Sequence, residues 1–309
     1  MIRVRPYRAD DFSAALEVIN AAAKVDHTRR ITEAVFRRAW ADPAYYDHAA
    51  VAFADTDHPA GFIWWDRDQG QSRRLEGWVH PAYRRRGVGT ALLIAAESAA
   101  RAQEVLPITL TGRVYSDIPG GETLFRQRGY TEVHRFYLMS LSLVGRPFAP
   151  VEAAPPGVTL RAFQEQDLAA LVEADNAIFA GHWGSRTRTV QAWQREMQES
   201  RPYDPSLWLL AWENDRIVGE CLCHQSREAG PTDAWISILG VRQDWRGRGL
   251  GRTLLVRGLQ ILQESGFTSA SLHVDAENTP ALKLYRSVGM EVTRTRVHFA
   301  RRIEASKHV

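Results

Sequence analysis

The sequence predicts an α/β protein made of two similar domains in tandem, on three observations. Its 309 residues exceed the usual size of one compact core, which makes two domains of roughly 150 residues the default expectation. Residues 236–266 read as strand, glycine turn and helix: Ile236 to Val241 is apolar and partly β-branched, and Leu250, Leu254, Leu255, Leu259 and Leu262 recur at helical spacing. The same device occurs about 160 residues earlier, where Val79, Arg84, Gly87, Gly89 and Leu92 match Val241, Arg246, Gly249, Gly251 and Leu254 at preserved spacing.

Residues 2–7 alternate toward a short strand, and Asp10-Asp11 opens a helix carrying Phe12, Leu16 and Ile19, with its acids near the positive end of the helix dipole. Residues 24–46 mix helix and loop, with Val35, Phe36 and Trp40 supplying an apolar face. Strands over 49–54 and 60–65 flank an Asp/His/Pro turn, and a strand over 75–79 enters the first glycine turn. A helix over 90–103, a strand over 107–114, a Pro119-Gly120-Gly121 break, a short helix through Arg126 and a strand over 130–141 complete the first domain. Proline stiffens extended chain and cannot continue a helix. Residues 145–157, with Pro147, Pro150, Pro155 and Pro156, therefore read as the linker between domains 1–144 and 158–309.

The opening of the first domain returns in the second. Arg161, Phe163, Asp167, Leu168, Leu171 and Asn176 echo Arg5, Tyr7, Asp11, Phe12, Ala15 and Asn20, so the duplication covers whole domains and not the glycine turns alone. The expected course is a strand over 158–163, a helix over 165–177, a loop at Ala180–Gly184 and a helix over 187–199. Hairpin strands over 207–212 and 216–224 lead into the central strand. After the helix over 251–265 come a strand over 269–275, a helix over 279–287 and a strand over 290–302.

Composition supplies ample core material, with 45% hydrophobic residues and ten tryptophans. The net charge of +3 sets 39 basic against 36 acidic residues, a balance that does not demand nucleic acid as a partner. Lys24, Lys283 and Lys307 are the only lysines, and the arginine excess carries little weight as a sign of anion recognition. Cys221 and Cys223 lie one residue apart on a predicted strand and share a face, an arrangement poor for a disulfide and too sparse for zinc. They read as buried packing residues, and no metal site is expected. The start, Met1 to Tyr7, lacks the apolar core of a signal peptide, and no run reaches membrane-spanning length. A cytoplasmic protein without a membrane partner is the expectation.

Gly247, Gly249 and Gly251 let the backbone turn tightly, so that successive N–H groups at the helix start converge on one anion, and the expected ligand is a phosphate. At these residues the chain resembles the GNAT acyltransferases (GCN5-related N-acetyltransferases), whose signature is Arg/Gln-x-x-Gly-x-Gly/Ala between a strand and a helix. Arg84-x-x-Gly87-x-Gly89 and Arg246-x-x-Gly249-x-Gly251 both fit it. The resemblance implies two tandem GNAT-like domains, each a central mixed sheet of α+β character flanked by helices. It also implies acetyl-CoA as the cofactor. The pyrophosphate of coenzyme A would be gripped around Arg246, Gly247, Arg248, Gly249, Leu250, Gly251 and Arg252. In the first copy the matching positions are Val79, Arg84, Arg85, Arg86, Gly87, Val88, Gly89 and Thr90.

The same resemblance places the pantetheine arm where the central strand and the strand over 269–275 splay apart, leaving backbone groups of Leu239, Gly240 and Val241 unpaired. Their N–H groups would stabilise charge developing on the thioester carbonyl as an amine attacks it directly. The segment Asn278-x-x-Ala281-x-x-Leu284-Tyr285-x-x-x-Gly289-Met290 is similar to one in which the tyrosine protonates the departing thiolate and the asparagine lies against the pantetheine or diphosphate. The alternative reading of Tyr285 is a buried aromatic at helical spacing with Leu282, and the acid is the favoured one.

In many GNAT proteins the base is a carboxylate on the central strand, yet Trp235 to Val241 contains none. Asp233 is the nearest acid, with Glu220 and His224 on the preceding strand as alternatives. His182 and Trp183, in a glycine-flanked loop, and Glu220 are placed near the substrate. In the first copy Phe125 stands where the acid should be and Ile118 where Asn278 should be, while Glu76 lies on the strand before the turn. That domain is expected to have little activity, either binding coenzyme A or serving as a scaffold.

The tandem pattern looks like the mycothiol synthase-like double-GNAT acetyltransferases, through Phe179-Ala180-Gly181-His182 and Tyr285. It points to an acetyl-CoA-dependent N-acetyltransferase acting on a primary amine of a small molecule, with catalysis in the second half. A non-catalytic acyl-CoA-binding or regulatory module and a protein N-acetyltransferase are the alternatives. The oligomeric state stays open, a monomer included, since two halves in one chain can form a pseudo-dimer. A P-loop nucleotide hydrolase is disfavoured because neither turn ends in Gly-Lys-Ser/Thr.

Overall fold

The structure is a computed structural model describing residues 2–28, 30–54, 58–66, 71–102, 107–148, 154–199, 204–226 and 230–304. The chain forms two compact units, residues 1–136 with 294–309, and residues 137–293. The first unit runs β1 (Ile2–Pro6), α1 (Phe12–Asp26), α2 (Glu33–Ala39), β2 (Ala49–Ala54), β3 (His58–Trp65), β4 (Ser72–Val79), α3 (Val88–Arg101), β5 (Ile108–Tyr115), α4 (Gly121–Gln127) and the start of β6 (Thr131–Ser142). The second runs from the end of β6 through β7 (Val158–Ala162), α5 (Leu168–Ile178), α6 (Val190–Glu199), β8 (Trp208–Glu213), β9 (Arg216–Gln225), β10 (Asp233–Val241), α7 (Leu250–Glu264), β11 (Ser269–Asp275) and α8 (Thr279–Ser287). The last strand, β12 (Glu291–Ile303), begins in the second unit, but its residues 294–303 belong to the first.

Each unit has a mixed sheet. In the first, β1 to β4 pair antiparallel in order, and β4 then runs parallel to β5 over Ser72–Arg74 against Thr109–Thr111. In the second, β7 to β10 repeat the antiparallel run, and β10 meets β11 in parallel over Asp233–Trp235 against Ser269–Ser271. Helices cover the sheets with apolar faces. α1 buries Ala15, Val18, Ile19 and Ala22, α3 buries Val88, Leu92, Leu93 and Ala96, and α7 buries Leu250, Leu254, Leu255, Leu259 and Leu262. Each fully buried leucine contributes roughly 2 kcal/mol by leaving water.

The residues that echo between the halves are those that pin each first helix. Arg5 donates twice to Asp11 at 2.6 and 2.7 Å, and Asp11 also accepts the amide of Arg8. Arg161, Asp167 and the amide of Gln164 repeat this at 2.5, 2.8 and 2.8 Å. Further along, the Asn20 side chain bonds the backbone of Ile31 in both directions, and Asn176 does the same to Arg188. Gly61 and Gly219 are a further matched pair, because a Cβ at either would fall 2.7 Å from Leu92 Cδ1 or Leu254 Cδ1. The third helix of the fold therefore packs against bare backbone in both units.

The compact units do not coincide with halves divided at the linker. Residues 296–303 of β12 pair antiparallel with β5, from Arg296 opposite Tyr115 to Ile303 opposite Ile108. At the expected linker, Gln263 donates to the carbonyls of Leu143 and Arg146, and Arg146 donates to Val288 O at 2.8 Å. Residues 143–146 are thus tied into the second unit, while 149–153 lie outside the described residues. Among the described residues no helix is long and apolar enough to cross a membrane.

Candidate active site

In the second unit β10 does one thing that β4 does not. Its register against β9 shifts between Ile236 and Ile238, so Ser237 bulges out and donates its hydroxyl to Leu222 O at 2.8 Å. As β4 has no β5 partner beyond Arg74, so β10 has no β11 partner beyond Trp235. A bulge bends a strand and increases its twist, which carries the end of β10 away from β11. The Arg242 amide donates to Val218 O on the β9 side, so by strand alternation Leu239 and Val241 turn their N–H groups to the open edge. Gly240 is wedged differently: a Cβ there would come 2.5 Å from Ile178 Cγ2 and 3.0 Å from Phe179 Cζ, so the end of α5 lies flat on the strand.

Beyond β10 the turn is built from left-handed glycines. Gly247 and Gly249 have φ of +77° and +83°, and nothing lies within 4 Å of where a Cβ would stand on either. The first amides to find helical acceptors are those of Arg252 and Thr253, both on Gly249 O, so the preceding amides stand at the mouth of α7 as free donors of the helix start. Arg246 holds this turn in place, donating to Val241 O at 3.1 Å and Ile178 O at 3.4 Å. Arg248 lies 4.6 Å over the Trp245 ring, and Arg252 donates to Ser287 Oγ at 2.6 Å, linking α7 to α8. Leu250 is buried, and Gly251 admits Leu284 and Val241 at 3.6 Å.

On α8, Asn278 is the N-cap: its Oδ1 accepts the Ala281 amide at 3.1 Å. This sets the helix that carries Tyr285, which is 7% exposed. Burial, with a smaller contribution from the Cys221 thiol, pushes the phenol above its ordinary range and keeps it protonated at neutral pH. Cys221 and Cys223 are buried with sulfurs 3.8 Å apart, and the contact with Cys221, together with burial, pushes the Cys223 thiol well up. Both act as packing residues.

Asp233 does not join this group. It lies at the closed end of the β10–β11 pair, six residues and about 20 Å from Leu239 along an extended strand. Its carboxylate is spent on the Gly230 amide at 2.5 Å and on the Ser269 hydroxyl. The geometry gives it the work of closing a turn, and physical nearness in sequence misled because strands are long per residue. His182 packs edge-on to Phe179 at 5.3 Å, and through Phe179 it lies beside Gly240; Trp183 is 46% exposed. Glu220 pairs across the ladder with Gly240, and His224 bonds Gln225 O through Nδ1 at 2.7 Å. One residue without a sequence signal stands in the splay: His273 on β11, two positions past the last β10 pair, with its ring 4.8 Å from Trp235. A histidine on an alternating strand is unremarked until the strands are seen to part there.

Comparison with known proteins agrees with this architecture. Residues 168–290 match the acetyltransferase (GNAT) family and residues 46–132 match an acetyltransferase (GNAT) domain. A mycothiol acetyltransferase of Sanguibacter keddieii is 31% identical over 318 residues, covering 99% of this chain and 98% of that protein. The chain belongs to the GNAT acetyltransferase family. A second mycothiol acetyltransferase, from Geodermatophilus obscurus, is 30% identical over 90% of both proteins. The GCN5-related N-acetyltransferase from Sphaerobacter thermophilus superposes with a TM-score of 0.78 at 27% identity, over 100% of this chain and 98% of that one. A tandem GNAT protein from the clavulanic acid biosynthesis pathway shares the fold at a TM-score of 0.75 and 18% identity, over 99% and 100%. The protein is thus a tandem-GNAT N-acetyltransferase, an enzyme of acyl transfer in a family that uses acetyl-CoA.

The first GNAT unit of the enzyme fills the corresponding positions differently. Arg84 donates to Val79 O, but its guanidinium is held bidentately by Asp26 at 2.8 and 2.7 Å, on a last turn of α1 that α5 lacks. Arg85 adopts φ of +59° where the second unit has Gly247, and lies against Gly120. Arg86 sits 5.7 Å over Tyr83, Gly87 opens α3 at φ +85°, Val88 is buried, and Gly89 meets Leu124 just ahead of Thr90. Across the gap where β4 and β5 part, Arg113 donates to Glu76 at 2.8 Å. Phe125 is stacked on Phe299 at 5.1 Å and pressed against Gly112.

Proposed function

We propose that the second unit transfers the acetyl group of acetyl-CoA to a primary amine of a small molecule by direct attack, and that the first unit is a scaffold. The observation that carries this is the parting of β10 from β11 beyond Trp235, with the glycine turn at its open end and the buried Tyr285 on α8. The site suits coenzyme A, since the exposed left-handed glycines leave room for a diphosphate against the amides at the mouth of α7. Acetyl-CoA supplies the activated acyl group when bound. One of the two N–H groups at the open edge, that of Leu239 or that of Val241, would donate to its carbonyl oxygen and stabilise the charge that grows there, the other lying two residues along the strand toward the rest of the cofactor. Tyr285, kept protonated by burial, would give its proton to the sulfur as it departs. His273, beside Trp235 in the splay, accepts the proton that the amine loses.

The name shared by the two relatives, mycothiol acetyltransferase, supports a small-molecule acceptor. The first unit reads as a scaffold because Arg84 and Glu76 are occupied by Asp26 and Arg113, and Phe125 has no proton to give. The test is thiol release from acetyl-CoA in the presence of a panel of aliphatic, aromatic and sugar amines. Saturable release matched by amine acetylation is expected; no release with any of them would leave the acyl-transfer site without an amine substrate.

A further inference from the structure

On the face of β9 toward α5, Glu220 stands across the ladder from Gly240 on β10 and Leu210 on β8. It is wholly buried, and among the described residues neither carboxyl oxygen has a hydrogen-bond partner. A polar group buried in this way destabilises the fold unless something satisfies it. The charge it feels most strongly is that of Asp175 on α5, itself 4% exposed, with Arg188 at 3.9 Å from Asp175. Burial first, and Asp175 second, push Glu220 well above the usual carboxylate range.

The duplication shows that the same slot has an apolar solution. Gly61 pairs with Val79 as Gly219 pairs with Val241, which sets Phe62 where Glu220 stands and Trp78 where Gly240 stands. The matched Asn20 and Asn176 set Ile19 where Asp175 stands. Phe62 packs against Tyr7 at 5.8 Å, Trp40 at 5.4 Å and Trp78 at 6.2 Å. Two acids and a glycine have therefore replaced three large apolar side chains beside the open edge of β10. Packing accounts for the glycine, which admits Ile178 and Phe179, but not for the two acids.

We propose that Glu220, with Asp175 beside it, is the subsite for a protonated amino group of the acceptor. The proposal rests on the transferase reading of this same site. Neighbouring strands lie about 4.8 Å apart, so Glu220, paired with Gly240, is one strand away from the Leu239 and Val241 amides at the open edge of β10. An ammonium arriving there finds the two Glu220 oxygens, which no donor among the described residues uses; Glu220 ionises as it binds and releases its proton to solvent. The ammonium belongs either to the amine about to be acetylated or to a second amine on the same molecule.

The test uses the full chain carrying Glu220→Gln or Glu220→Met. For amines turned over in the thiol-release assay, with n-butylamine and 1,4-diaminobutane as a matched pair, the acceptor kcat/KM is expected to fall about tenfold or more while the acetyl-CoA KM stays unchanged. A fall confined to the diamine assigns the site to a second ammonium, and an equal fall assigns it to the reacting one. The Met variant is also expected to melt a few degrees higher, because it removes an unsatisfied buried carboxyl. Unchanged acceptor kcat/KM, or a Met variant that melts lower than the parent, would overturn the proposal. Absence of thiol release by the parent with every amine would instead strike at the transferase reading, and the melting comparison stands apart from that outcome.

Discussion

At the scale of single residues, the site is decided by what each side chain is free to do. Tyr285 is buried and protonated, and by register of the two copies Phe125 is its counterpart, locked in a stack on Phe299. A positioned general acid contributes roughly a hundredfold or more to rate. Tyr285→Phe is therefore expected to lower kcat by about that factor with the acetyl-CoA KM unchanged, as steady-state kinetics would show; an unaltered kcat removes the phenol from the reaction. Gly240 gives a second residue-scale expectation. Its Cβ position lies 2.5 Å from Ile178 Cγ2, so Gly240→Val overpacks the end of α5 and should cost about 1–3 kcal/mol in denaturant unfolding. Much of this was legible in the sequence, because Gly, Tyr and Asn at fixed spacing are tied to local geometry. Asp233 was not, since its bond to Ser269 joins strands that are 36 residues apart in the chain.

At the scale of elements, helix entry and strand parting matter most. Asp167 secures the start of α5 by two bonds from Arg161 and one from the Gln164 amide. The hydrogen bonds from Arg161 hold its carboxyl below the ordinary range, the backbone amide adds to this, and desolvation opposes it. A depressed folded pKa contributes stability that is present above the unfolded value, near 3.9, and is lost as pH falls through the folded one. Asp167→Asn should then cost about 2 kcal/mol at neutral pH, with the gap to the parent closing as the medium is acidified below about pH 4. Equal loss at all pH values would contradict the ion-pair account. The alternating strands and periodic helices were readable to within about two residues at most ends. The bulge at Ser237 was not, because one extra residue leaves the apolar pattern of Ile236 to Leu239 nearly intact. His273 was hidden for the same reason: only the parting of β10 and β11 gives its position meaning.

At the scale of the whole molecule, the duplication is clear in the sequence, but the assignment of the last strand is not. The sequence marks a strand over 290–302 without saying which β-strand it will pair with, and in the structure it runs Glu291–Ile303 with Arg296 to Ile303 paired to β5. Arg301 approaches the fully buried Glu97 at 2.9 Å within the first unit. A chain cut after residue 293 is expected to lose cooperative unfolding of residues 1–136, read by hydrogen exchange, whereas retention of full protection there would show that β12 is dispensable. The central claim is that the second unit alone takes up acetyl-CoA, and calorimetric titration of acetyl-CoA into the full chain tests it most directly. One site per chain is expected, abolished by Gly249→Val and kept by Gly87→Val; two sites, or loss of binding with Gly87→Val, would contradict it.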